Sequence, residues 1–253
     1  MPEFDRVAPH YDETRLPPSE GELRAVIEGL GGARDVLDAG VGTGRFARPL
    51  LEAGFQVCGV DLSRGMLARA RAKGLPRLVR GTLLRLPFRD RAFDAALVVH
   101  VLQLVPDPFP VLRELSRVSR GRVLAYLHGP HGGGRLGPVR RRYREIAGEL
   151  GTPIAPRARY WENGDRIVRR CPPTQLTTLE LPSSARRRPG EEWQWRTFGG
   201  LIDVPEEVHE RIVERLRAEG LLEEPRERPR PREVRLAVWE GAALEARLRE
   251  SPV

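Results

Sequence analysis

Apolar and polar positions alternate along this chain with two periods, and the changes of period mark its elements. Glu20 to Leu30 places Leu23, Val26, Ile27 and Leu30 on one face, the spacing of an amphipathic helix, with Ser19 as its N-cap and Gly31-Gly32 as its stop. A short apolar run then stops at Asp38. Gly40, Gly42 and Gly44 follow, and Phe46, Ala47, Leu50 and Leu51 recur at helical spacing. Pro49 falls inside that helix and is expected to cost a hydrogen bond or bend it. Gln56 to Asp61 is a second apolar run ending in an acid. Ser63 caps a helix carrying Met66, Leu67 and Ala70, and Leu78-Val79 makes a short third strand. Phe93 to His100 is almost continuously apolar, as a strand covered on both faces should be.

The same reading predicts a helix over Pro108–Val118, a strand over Arg122–Leu127 and a basic helix over Val139–Leu150. It adds a short helix over Asp165–Arg170, a strand over Gln175–Leu181 and helices over Glu191–Phe198 and Pro205–Gly220. The proline-rich run PRERPRPRE reads as a stiff linker before a last strand over Glu233–Trp239. Strands alternating with helices predict an α/β fold, a doubly wound, mostly parallel sheet. At 253 residues the chain is long enough for one large domain, 1–253, and no internal repeat is visible.

Composition removes several classes. There is no apolar run of eighteen residues for a membrane helix, and MPEFDRVAPHYDETR has acids among its charges, unlike a signal peptide. Two cysteines, Cys58 and Cys171, make a disulfide framework unexpected and suit a cytoplasmic address; no Cys/His cluster has zinc spacing. The net charge of +8 invites a nucleic-acid reading, but the basic residues are nearly all arginine and many of them have acidic neighbours, as in EEVHERIVERLRAEG, so nucleic acid is the lesser expectation.

Candidate chemistry gathers where the pattern turns. Glycines at a strand-to-helix turn allow a sharp bend and close approach of a ligand, and the helix start offers free N–H groups. An acid about twenty residues on, at Asp61, suits a ribose. The spacing is G-x-G-x-G, with Asp38 two residues before the first glycine, and not the dinucleotide G-x-G-x-x-G. These residues resemble the class I S-adenosylmethionine-dependent methyltransferases, whose first motif runs D-x-G-x-G-x-G. VLDAGVGTGRFARPL, VCGVDLSRGMLARAR and LPFRDRAFDAALVVHVLQLVPDP follow that family in order and spacing, over about residues 36 to 125. The resemblance points to its ubiquinone/menaquinone-biosynthesis branch.

The resemblance implies S-adenosylmethionine as cofactor, in a seven-stranded Rossmann-like sheet whose last strand runs antiparallel. It implies a cofactor-binding core over 36–127 and a helical substrate lid over 128–163. Asp61 would hold the ribose, with Leu62 beside it. Gly40, Gly42 and Gly44 would pack on methionine and ribose, and Asp38 would orient the turn or the methionine amine. Met66 would lie against the adenine, or simply in the core. Tyr11 and Arg15 of the segment YDETR would wall the methionine end, or belong to a surface cap with no ligand contact. The family usually has an acid after the glycine that follows strand three; here Gly81 is followed by Thr82 and Leu83, and the Thr82 hydroxyl is left to take the adenine contact.

His100 falls at the carboxyl end of strand four, where an open α/β sheet binds its ligand, and is a candidate general base, substrate ligand or spacer. Gln103 and His128 lie at the same edge, with His131 beyond in a glycine-rich loop. Tyr143, Tyr160 and Trp161 are candidates to line a substrate pocket, or ordinary packing residues of the lid, with Trp193 and Trp195 further along. Arg140–Arg142 is either a seat for an anion or a solvated face. The absence of the N/D-P-P-Y and Pro-Cys segments of base-modifying enzymes favours a small-molecule acceptor. An RNA or protein methyltransferase, a non-catalytic cofactor binder and an NAD-dependent dehydrogenase are the alternatives, the last opposed by the glycine spacing. The acceptor atom and the oligomeric state are not written in the pattern.

Overall fold

A computed structural model describes residues 2–15, 17–128, 136–154, 160, 162–181, 204–222 and 232–250. The predicted helix over 191–198, residues 225–231 of the proline-rich linker, and His131, Trp161, Trp193 and Trp195 lie outside the described residues, while the linker's last two residues open the final strand.

Seven strands form one sheet: β1 (Asp35–Ala39), β2 (Gln56–Asp61), β3 (Arg77–Arg80), β4 (Phe93–Val98), β5 (Ser119–His128), β6 (Gln175–Leu181) and β7 (Arg232–Glu240). Their spatial order is β3-β2-β1-β4-β5-β7-β6. β1 to β5 pair in parallel, whereas β7 runs antiparallel between β5 and β6. The chain winds outward from β1 to β3 and then returns to β4, so the topological switch lies between β1 and β4.

The helices are α1 (Pro2–Val7), α2 (Glu20–Leu30), α3 (Ala47–Glu52), α4 (Arg64–Ala72), α5 (Phe109–Val118), α6 (Leu136–Glu149), α7 (Asn163–Arg170), α8 (Glu206–Ala218) and α9 (Gly241–Glu250). Successive residues of the central strands face opposite layers. Leu37, Ala96, Val98, Val123 and Ala125 pack under α5, α7 and α9, while Val36, Ala95, Leu97, Leu124 and Tyr126 pack under α2 and α3. Both layers are fully covered, which is why these strands read as unbroken apolar runs.

α2 begins and ends as its sequence specifies. The Ser19 hydroxyl accepts the Glu22 N–H at 3.2 Å, the Glu22 carboxylate accepts the Ser19 N–H at 2.8 Å, and Gly31 closes the helix at φ +59°. Ser19→Ala is expected to cost about 1 kcal/mol of stability, read from the midpoint of urea denaturation. A midpoint equal to wild type would show that the cap is not needed.

Three expectations need correction. The buried strand does not stop at Asp38 but runs through it to Ala39, which is how the acid comes to be buried. Pro49 neither breaks nor bends α3, because it is the third residue of a six-residue helix, in the turn where N–H groups have no partner inside the helix. β4 ends at Val98, so His100 leaves the strand. α9 was not anticipated, although Leu244 and Leu248, one helical turn apart and both buried, carry its signal.

α6 and α8 form a second apolar cluster of Val139, Tyr143, Ile146, Ala147, Ile212, Val213 and Leu216. Among the described residues no helix is long and apolar enough to cross a membrane.

Candidate functional site

The turn after β1 is built against the end of β2. Gly40 and Val41 both donate backbone N–H groups to the Val60 carbonyl, at 2.8 and 3.0 Å, and Gly42 donates to Asp61 Oδ2 at 2.9 Å. Gly40, Gly42 and Gly44 have φ of +81°, +55° and +85°, in the left-handed region. Their surroundings differ. A Cβ on Gly40 would lie 2.4 Å from Val101 Cγ2, and one on Gly44 would lie 2.8 Å from Leu75 Cδ1, so both are bound by packing. A Cβ on Gly42 would meet nothing within 4 Å. Gly42 thus borders open space, with Asp61 held beneath it.

Two acids flank this turn. Asp38 is 3% exposed; desolvation pushes its carboxyl up to about 7, the charge of Asp61 adds to this, and the Ala47 N–H at the start of α3 opposes it. Asp61, also raised by burial, accepts from Gly42 and from Ser63 N–H at 2.9 Å. Among the described residues no arginine, lysine or histidine forms an ion pair with either. Two crowded carboxylates beside open space favour a cation there.

The N-terminal segment straps this turn in place. Asp5 accepts from the Ser63 hydroxyl at 2.6 Å and the Gly65 N–H at 2.8 Å, at the start of α4. Asp12 accepts from the Thr43 hydroxyl, inside the glycine turn, at 2.5 Å, and pairs with Lys73 at 2.7 Å. Neither acid was singled out from the sequence; the signal available was only an acid-rich arm before a glycine turn. Between them Val7 and Ala8 bury Met66 with Phe4 and Tyr11, so Met66 packs as a core methionine beneath the arm. Arg15 lies over the Tyr11 ring at 5.4 Å.

The remaining predicted residues divide. Leu83 lies beside Gly40, with Cδ1 3.8 Å from where its Cβ would be, and Leu62 is 41% exposed at the end of β2. The Thr82 hydroxyl accepts the Leu84 N–H at 3.3 Å and shapes a local turn. Tyr143 does not open onto the switch point: it is fully buried between α6 and α8, its hydroxyl 2.7 Å from His209 Nδ1. Arg142 binds Glu145, Glu149 and Glu219, and Arg141 lies 3.9 Å from Glu145, so these two arginines carry an ion-paired face and Arg142 is not a waiting anion seat. His128 closes β5, its backbone paired with Val234.

At the end of β4, His100 adopts φ +58°, and its ring meets Tyr126 edge-on at 5.9 Å. A left-handed backbone strains any residue with a Cβ, by about 1–2 kcal/mol. His100→Gly is therefore expected to be about 1 kcal/mol more stable than His100→Ala, since both lose the ring and only glycine loses the strain. Equal unfolding midpoints would contradict this.

A methyltransferase domain family model matches residues 37–126. A demethylmenaquinone methyltransferase of Renibacterium salmoninarum is 35% identical over 163 residues, covering 61% of this chain and 68% of the relative. The chain belongs to the class I S-adenosylmethionine-dependent methyltransferases, of the ubiquinone/menaquinone type. S-adenosylmethionine is its cofactor. A demethylmenaquinone methyltransferase of Paenarthrobacter aurescens is 29% identical over 219 residues, covering 79% of this methyltransferase and 78% of its own length. Against other demethylmenaquinone methyltransferases the match spans about half of the relative. The solved structure of an Anabaena variabilis chain, 16% identical, has a TM-score of 0.62 over 90% of this methyltransferase and 99% of its own chain, a likeness of fold.

Proposed function

We propose that this methyltransferase carries the methyl group of S-adenosylmethionine to a small-molecule acceptor seated between the carboxyl ends of β1 and β4. A quinol ring is the first acceptor class to test, because the relatives are named for demethylmenaquinone. The observation that carries the reading is the open space at Gly42, whose N–H is held by the half-buried Asp61, with the buried Asp38 electrostatically coupled to that acid. The donor set suits a ligand with an ammonium, a sulfonium and a ribose.

When bound, S-adenosylmethionine supplies a methyl group already activated on a positive sulfur, so the protein has mainly to align and exclude. Asp61 keeps lone pairs beyond its bonds to Gly42 and Ser63, directed to the ribose hydroxyls. Asp38 faces the methionine ammonium and fixes the start of α3. Leu62, Leu83 and the Thr82 hydroxyl border the purine, with Met66 behind them. Tyr11 and Arg15, on the strapped arm, wall the methionine end. His100, beside the acceptor, takes a proton where the acceptor must lose one. Acceptor transfer to RNA or protein finds less support, since Arg142 is spent on neighbouring carboxylates.

The test is incubation with methyl-labelled cofactor and, in parallel, a reduced naphthohydroquinone, bulk transfer RNA and a protein extract. Label in the extracted quinol, lost in His100→Ala, is the expected result. Label confined to RNA or protein would contradict the proposal.

A further inference from the structure

The turn after β4 carries a polar atom that the fold leaves unsatisfied. Gln103 lies on the short 3-10 turn Leu102–Leu104 and is 7% exposed. Its Nε2 donates to the His100 carbonyl at 2.9 Å. A carbonyl only accepts, so this bond fixes the amide: nitrogen toward His100, Oε1 away from it. That Oε1 is buried and has no hydrogen-bond partner among the described residues. An acceptor buried without a partner has given up its water and gained nothing in exchange, and a donor brought by a ligand supplies the missing bond.

The turn is braced, so Gln103 cannot readily swing to a partner of its own. Asn163, 1% exposed at the start of α7, donates to the Leu102 carbonyl at 2.8 Å and to the Val105 carbonyl at 2.9 Å. The Tyr160 N–H donates to the Gln103 carbonyl at 3.0 Å. On the other side Val101, two residues before Gln103, is the side chain that closes on Gly40. The orphan acceptor therefore stands on a rigid turn that touches the glycine turn, across the switch point.

We propose that Gln103 Oε1 receives a hydrogen bond from a hydroxyl or N–H group of the methyl acceptor, and so selects protic acceptors over analogues lacking that donor. This rests on the methyltransferase reading of the same site. Its consequence depends on the atom methylated. Where a hydroxyl oxygen, or a nitrogen bearing a single hydrogen, itself takes the methyl group, its only proton leaves, the product loses the bond and release is favoured; a primary amine keeps one N–H after a single methylation and keeps the bond. Where carbon takes it, the donor survives and product binds like substrate.

The test titrates the protein loaded with S-adenosylhomocysteine, without oxygen, using two probe pairs: naphthohydroquinone with its dimethyl ether, and naphthylamine with its dimethylated amine. Wild type is expected to bind the donor-bearing member of at least one pair about tenfold more tightly than its methylated counterpart. Gln103→Leu should bring that ratio near one, and Gln103→Glu, which keeps an acceptor oxygen, should retain it. An unchanged ratio in Gln103→Leu, as a buried water on Oε1 would give, overturns the proposal. So does a ratio near one in wild type for both pairs. Failure to bind S-adenosylhomocysteine at all would instead overturn the reading of the site.

Discussion

Gly42→Ala is expected to leave the protein folded and to weaken cofactor binding about a hundredfold. Its Cβ would enter open space, so the fold loses only the cost of a left-handed alanine, about 1–2 kcal/mol. The same methyl group would stand where the ligand approaches the turn, and displacements of that size cost about two orders of magnitude. Gly40→Ala supplies the contrast. Its Cβ would lie 2.4 Å from Val101 Cγ2 and its φ is +81°, so strain and overpacking together should cost about 2–5 kcal/mol. Denaturation midpoints and calorimetric titration with S-adenosylhomocysteine separate the two. If both substitutions destabilised alike while Gly42→Ala bound normally, the open space at Gly42 would not be the ligand's.

Asp38→Asn is expected to change how stability depends on pH. In the folded protein the Asp38 carboxyl is pushed up to about 7, first by desolvation and then by Asp61. In the unfolded chain an aspartate titrates near ~3.9. Between these values the folded state holds a proton that the unfolded state does not, so Asp38 makes the ligand-free protein less stable as pH rises through that window. The lowered carboxyls of Asp94 and Glu114 act at more acid pH and with the opposite sign. The difference between wild type and Asp38→Asn removes the Asp38 step together with its coupling to Asp61, whose own raised carboxyl acts with the same sign in both proteins: the variant should gain stability relative to wild type from about pH 4 to about pH 7, by a few kcal/mol in all. A cationic ligand favours the ionised acid, so its binding should release a proton and tighten as pH rises over the same window. The variant should lose that rise and most of its affinity. A wild-type affinity independent of pH would contradict the assignment of Asp38 to the ammonium.

The glycine turn and the elements around it were legible because their constraints are local. Three glycines in left-handed conformation, an acid in the last two residues of each of two strands and a serine cap each leave a mark at fixed spacing in the sequence. The surroundings of the turn after β4 and of α6 were not, because their order comes from contacts far apart in the chain. Nothing around Asn163 announces that its amide braces the turn of Gln103, sixty residues earlier. Nor does the pattern around Tyr143 show that its ring is buried against His209 of α8. An aromatic residue on a basic helix reads equally well as pocket lining or packing until the partner helix is placed. The strap made by Asp5 and Asp12 was hidden for the same reason, since each acid takes its meaning from residues on elements that follow.

The measurement that bears most directly on this account is a thermal melt with S-adenosylmethionine, S-adenosylhomocysteine and NAD in parallel, on wild type and Gly42→Ala. A ligand at a hundred times its dissociation constant stabilises a fold by about 2.7 kcal/mol, enough to raise the midpoint by a few degrees. The account predicts that the first two ligands raise the wild-type midpoint, that NAD does not, and that Gly42→Ala loses the response. A shift with NAD alone, or an equal shift in both proteins, would contradict it.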